Sequence, residues 1–157
     1  MKYLIITISF IISVKINAMN LLDYKADSNR VTLEDWKFFS DQVMGGVSEG
    51  KTSIEKDEGN FFLRLEGTVS TKNNGGFIQV RKEYDLKKND FKGIRIRARG
   101  KESDYYVHIR TKYLFLPWQY YAGKFRVSDN WSDIIIKFSD FSKSNFYQPE
   151  NFSSSDI

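Results

Sequence analysis

The sequence of 157 residues contains no cysteine. That absence removes a disulfide framework, a Cys-ligated zinc site, an iron–sulfur cluster and a thiol nucleophile together. Histidine is almost missing too: His108 is the only one, which leaves no cluster of imidazole ligands and no evident partner for a histidine base. Catalysis would have to rest on carboxylates alone, so the expectation is a protein that is not an enzyme and carries no cofactor or metal. Excess charge is also small. There are 24 basic and 20 acidic residues, a formal charge of +4, and residues 1–18 carry Lys2 and Lys15 but no acid, so their loss lowers it by two. Such a balance argues against a dedicated nucleic-acid binder, whose affinity comes from a concentrated basic patch. No low-complexity linker interrupts residues 20–145, and a chain of this length forms one domain with its own core.

An apolar run at residues 4–14 follows Met1, Lys2 and Tyr3 and leads to Ile16, Asn17 and Ala18. It is shorter than the roughly 20 residues of a membrane span. Residues 1–18 therefore read as a secretory signal peptide cleaved after Ala18, with Lys15 and Ile16 making the cleavage site imperfect. The expected location is outside the cytoplasm or in a periplasm. If the leader stays, or through a partner, the chain would instead be membrane-associated.

Beyond the leader, short aromatic and β-branched stretches alternate with Gly, Asn, Asp and Ser. Strands are expected over 61–70, 76–81, 93–99, 105–111, 118–127 and 131–138, a spacing typical of a β-sandwich or barrel. Arg95, Arg97 and Arg99 alternate with Ile94, Ile96 and Ala98, the pattern of a solvated sheet face. One helical turn is expected over 32–38, where Thr32 precedes Asp35 by three residues. From Ser142 the composition turns to Ser, Asn and Pro, so 143–157 reads as a loop-like or truncated tail.

Four of the ten glycines lie in two doublets, in the stretches Asp41-Gln42-Val43-Met44-Gly45-Gly46-Val47-Ser48 and Asn73-Asn74-Gly75-Gly76-Phe77. Glycine beside Asn or Ser marks a sharp turn or a close backbone approach. The first doublet reads as a tight loop or bulge, with an anion cradle of backbone N–H groups as the alternative. The second reads as a hairpin turn, or as a binding loop. Asp41 and Glu49 flank the first doublet and offer oxygen ligands for calcium, without any EF-hand spacing.

Taken in order, Trp36, the 40–48 motif, Phe62 to Gly67, the 73–81 motif Asn-Asn-Gly-Gly-Phe-Ile-Gln-Val-Arg, the Arg-rich 93–100 stretch, and Trp131 to Phe141 resemble the complex I intermediate-associated protein 30 family. The resemblance spans roughly residues 33–142. It implies an all-β, galactose-binding-like jelly roll, with the domain over 19–142, and a non-enzymatic role as an assembly factor or chaperone that holds an intermediate of respiratory complex I. Two departures stand out. Gly100-Lys101-Glu102-Ser103-Asp104 replaces the family's acidic glycine turn, and the family's last strands have no counterpart before Ile157, so the jelly roll is expected to lack its C-terminal strands.

Partner contacts are expected at Asp41, Met44, Gly45, Gly46, Asn73, Asn74, Gly75, Gly76 and Phe77, and at Trp118 and Tyr120 in the densest aromatic cluster. In Trp118-Gln119-Tyr120-Tyr121 the period of two sends at least one aromatic ring to the core, and the others form either packing or an exposed platform. A protein is the leading partner. A glycan is the alternative, bound by an exported carbohydrate-binding module of the same fold. His108 alternates with Val107 and Ile109 and reads as a solvated or groove-facing strand residue.

Overall fold

The computed structural model describes residues 36–157 apart from 58, 85 and 87–89. The leader expected over 1–18 lies outside them. Among the described residues nine strands follow one another: β1 (Lys37–Ser40), β2 (Glu49–Asp57), β3 (Asn60–Thr68), β4 (Ile78–Arg81), β5 (Gly93–Ala98), β6 (Ser103–Ile109), β7 (Tyr121–Val127), β8 (Ser132–Lys137) and β9 (Ser142–Lys143). Every pairing is antiparallel, and among the described residues the only helical pieces are short 3-10 turns. The protein is all-β, as its alternating aromatic and β-branched segments imply. Among the described residues it divides into two compact units, 36–86 and 90–157.

In the first unit β1 pairs with β4, and β2 with β3 over nine residues each. Phe38 of β1 packs on Gly50 of β2, where a Cβ would come within 3.3 Å of the ring. Two expectations need correcting here. Lys37 and Phe38 belong to a strand rather than a helical turn, because the β4 ladder takes up their backbone groups; the start of the expected turn, 32–35, lies outside the described residues. The Asn73-Asn74-Gly75-Gly76 segment is not a hairpin either. It joins β3 to β4, which lie in different sheets.

The second unit is a sandwich. One sheet is β5–β8 and the other β6–β7–β9. Ile109, Leu114, Tyr121, Ile136 and Phe141 are buried between them, with Ile94, Ile96, Val107, Phe125 and Ile134 packed at the margin. The period of two explains the choice: Val107, Ile109, Tyr121, Gly123 and Phe125 face inward while Tyr106, His108, Lys124 and Arg126 face out. Gly123 admits the Phe141 ring to the place its own side chain would fill, 2.5 Å from a Cβ. Lys143 belongs to β9, against the expected loop-like tail, because β7 supplies its ladder; residues 144–157 are loop-like in backbone apart from a 3-10 turn at Ser154–Asp156, but packed. Phe152 lies 4.6 Å from the Tyr121 ring and 5.1 Å from that of Phe138, and the Tyr121 hydroxyl donates to the Pro149 carbonyl at 2.9 Å.

Candidate functional site

The two glycine motifs meet at one carboxylate. Strand β1 ends at Ser40, whose hydroxyl accepts from the Gln42 N–H and starts a 3-10 turn over Asp41–Met44. Gly45 closes that turn with φ 90°, a conformation open to glycine without a Cβ clash. The turn directs Asp41 inward, where it is fully buried beside an equally buried Ser48.

Four donors converge on the Asp41 carboxylate. The Ser48 N–H gives 2.8 Å to Oδ1; the Ser48 hydroxyl, the Gly76 N–H and the Phe77 N–H give 2.5, 2.6 and 3.4 Å to Oδ2. Ser48 in turn accepts from the Ser70 N–H at 2.9 Å. Burial by itself pushes the Asp41 carboxyl pKa up, but the Ser48 hydroxyl, followed by the Ser48, Gly76 and Phe77 N–H groups, outweighs it and holds the group below its ordinary value. The charge is satisfied by donors, as a buried anion requires.

The close approach explains one glycine from each doublet. A Cβ at Gly46 would lie 2.3 Å from the Asp41 carboxyl carbon, and one at Gly75 2.3 Å from Oδ2. Asn73 and Asn74 take up positive φ at 57° and 60° and carry the chain around the anion, and the Asn73 side-chain amide donates to the Gly45 carbonyl at 3.2 Å. The first doublet is therefore not an anion cradle for a ligand: the Gly45 and Gly46 N–H groups donate to the Gln42 and Asp41 carbonyls. Three of the four donors to Asp41 fall on Oδ2 and one on Oδ1, so the protein's own hydrogen bonds engage both carboxylate oxygens.

Asp41, Gly46, Gly75 and Gly76 thus act by shaping the loops. Met44, 65% exposed, shares the outer surface with Val43, Val47, Asn73 and Asn74, while Phe77 is half-buried. Ser48 and Ser70 were missed as members of the hub. A hydroxyl two residues beyond the first doublet was the available signal for Ser48.

A second feature lies in the unit 90–157. Of the expected aromatic residues, Tyr121 takes the core, Tyr120 is half-buried and Trp118 is 60% exposed. Gln119 is buried and accepts from the Leu116 N–H, while the Arg110 guanidinium donates to the Leu114 and Leu116 carbonyls. Ser144 ties this loop to the next: its hydroxyl donates toward the Trp118 carbonyl and accepts from the Tyr120 N–H, and buried Gln148 donates to the Tyr120 carbonyl. Tyr113, Phe115 and Trp118 on one loop, and Phe146 and Tyr147 on the other, project from these fixed backbones; Tyr147 is 88% exposed. Phe146 and Tyr147 escaped notice because their stretch reads as a tail.

His108 stacks on Tyr120 with ring centroids 4.1 Å apart, and Tyr106 lies 6.3 Å further along the strand. Partial burial of the imidazole lowers its pKa from the ordinary value. Among the described residues, no three His, Cys, Asp or Glu side chains are grouped so as to hold a metal ion.

These observations define an all-β protein of antiparallel sheets whose most elaborate polar site is structural and whose exposed rings sit on braced loops. The chain belongs to the complex I intermediate-associated protein 30 family, whose model matches residues 22–152. No curated protein matches it.

Proposed function

We propose that the chain is a non-enzymatic protein-binding module that holds an intermediate of respiratory complex I during assembly. The carrying observation is the group of exposed rings on loops 110–120 and 143–149, fixed by Ser144, Gln119 and Gln148. Rigid aromatic rings bury large area on binding at little entropic cost, which is how interface anchors work. Family membership supports the identity of the partner. Met44, Asn73 and Asn74, displayed by the Asp41 hub, form a second contact loop.

The test is affinity purification of the full chain from its own membranes with identification of complex I subunits. Trp118→Ala lowers their recovery about thirtyfold, as for an anchor worth about 2 kcal/mol. Recovery of no complex I subunit, or equal recovery with the variant, overturns the reading.

The row Tyr106, His108, Tyr120 beside exposed Trp118 favours one second reading, an exported carbohydrate-binding module in which sugar rings stack on these faces. The leader expected at 1–18 fits that role. Binding on a glycan array that disappears with Trp118→Ala would establish it; absence of sugar binding together with recovery of complex I subunits dismisses it.

A further inference from the structure

The outer face of the β5–β8 sheet carries two arginines, Arg95 and Arg97, without an ion pair to a described residue. Arg95 and Arg97 project from β5, Arg99 follows directly after its last residue, and all three are exposed. Across the ladder Arg95 faces Ile135 and Arg97 faces Asp133. Arg99 lies over the Trp131 ring at 4.9 Å, which fixes its guanidinium on this face. Arg95 and Arg97 make no ion pair with any described residue. Other strands show the opposite habit: Lys124 pairs with Asp104 at 2.8 Å, and Arg64 with Glu55 and Glu66 at 3.2 and 2.8 Å. Ile135 is 70% exposed beside the arginines.

We infer that this face binds an extended acidic segment of a protein partner, with carboxylates at every second residue. On a strand, same-face positions recur about every 6.6–6.8 Å. A second extended chain lying along β5 repeats its own carboxylates at that interval, so acids two residues apart meet successive guanidinium groups in bidentate contact. Ile135 gives the segment an apolar contact on the same face. A single exposed isoleucine gives no apolar area sufficient for insertion into a bilayer. The surface lies on other residues than the aromatic loops, and it shares with the proposed function only the need for a protein partner.

The experiment measures fluorescence anisotropy of labelled peptides with the full chain at low and high salt. The probes are a peptide alternating glutamate and threonine, its isomer with the same residues in two blocks, an oligothymidylate, and vesicles of mixed anionic and neutral phospholipid. The alternating peptide binds several-fold more tightly than the blocked isomer, loses affinity with salt, and loses about tenfold in the Arg95→Ser, Arg97→Ser double variant, the sum expected for two exposed charge contacts. Trp118→Ala leaves this binding unchanged, which separates it from the aromatic loops. Equal binding of the two peptides, tighter binding of the oligothymidylate or the vesicles, or an unaffected double variant each overturns the inference.

Discussion

Replacing Ser48 by alanine tests the Asp41 hub at its centre. The hydroxyl donates to Asp41 Oδ2 and accepts from the Ser70 N–H, and the side chain is fully buried. Alanine fits the space but deletes both bonds, leaving a backbone N–H with no partner and a carboxylate oxygen short of one donor. A lost buried bond that strands its partner costs about 1–3 kcal/mol, so the pair amounts to roughly 2–6 kcal/mol. For a chain of this size that lowers Tm by about 6–18 °C. The acid limb of stability carries a second signature. The folded Asp41 pKa lies below its ordinary 3.8, so the unfolded chain binds the proton more readily. The stabilisation is complete above the unfolded value and is lost as pH falls through the folded one. Ser48→Ala removes the strongest of the interactions that depress that pKa, so its acid unfolding midpoint moves to higher pH. Thermal unfolding followed by circular dichroism, from neutral pH down through the carboxylate range, reads both effects. A loss below about 1 kcal/mol, or an acid limb that coincides with that of the unsubstituted protein, would refute the hub as a source of stability.

Gly75→Ala drives a Cβ to 2.3 Å from Asp41 Oδ2 and destabilises by about 1–3 kcal/mol as overpacking does; combined with Ser48→Ala the losses are less than additive in chemical denaturation, because both disrupt one network. Phe152→Ala strips a half-buried ring from Tyr121, Phe138 and Phe141 and costs about 3 kcal/mol, whereas a tail without a structural part would leave the urea midpoint unchanged.

The strands β3 to β8 were legible from alternation or from composition. Ile94 to Ala98 and Tyr105 to Ile109 declare their inner faces residue by residue, whereas β3 is marked by its run of aromatic and aliphatic residues. Strand β2 was not, since Glu49–Asp57 is almost wholly polar with Ile54 as its one large aliphatic residue, and it is a strand because β3 supplies a complete ladder. Strand β1 was hidden for a related reason: Lys-Phe-Phe-Ser carries no alternation long enough to read, and its partner β4 lies some forty residues on. At the hub, the turns and the positive φ of Asn73 and Asn74 follow from residue type. The shared carboxylate does not, because the Asp41 to Gly76 bond spans 35 residues and no local rule predicts so distant a pairing. The braced aromatic loops were half visible. Tyr121 and Trp118 separate by period, but Ser144 and Gln148 are ordinary polar residues until the chain folds back on them.

The Asp41 hub also works as a proofreading step in folding. Its carboxylate leaves water only when donors from the 48 turn and the 76–77 segment arrive together, and a chain that has brought up only one of them must either keep the anion hydrated or bear an uncompensated buried charge. Either outcome holds the unit 36–86 open, so half-assembled forms gain little stability and the finished one is separated from them by a gap. The glycine doublets, which serve locally as turns, thereby make the closure of this unit all-or-none.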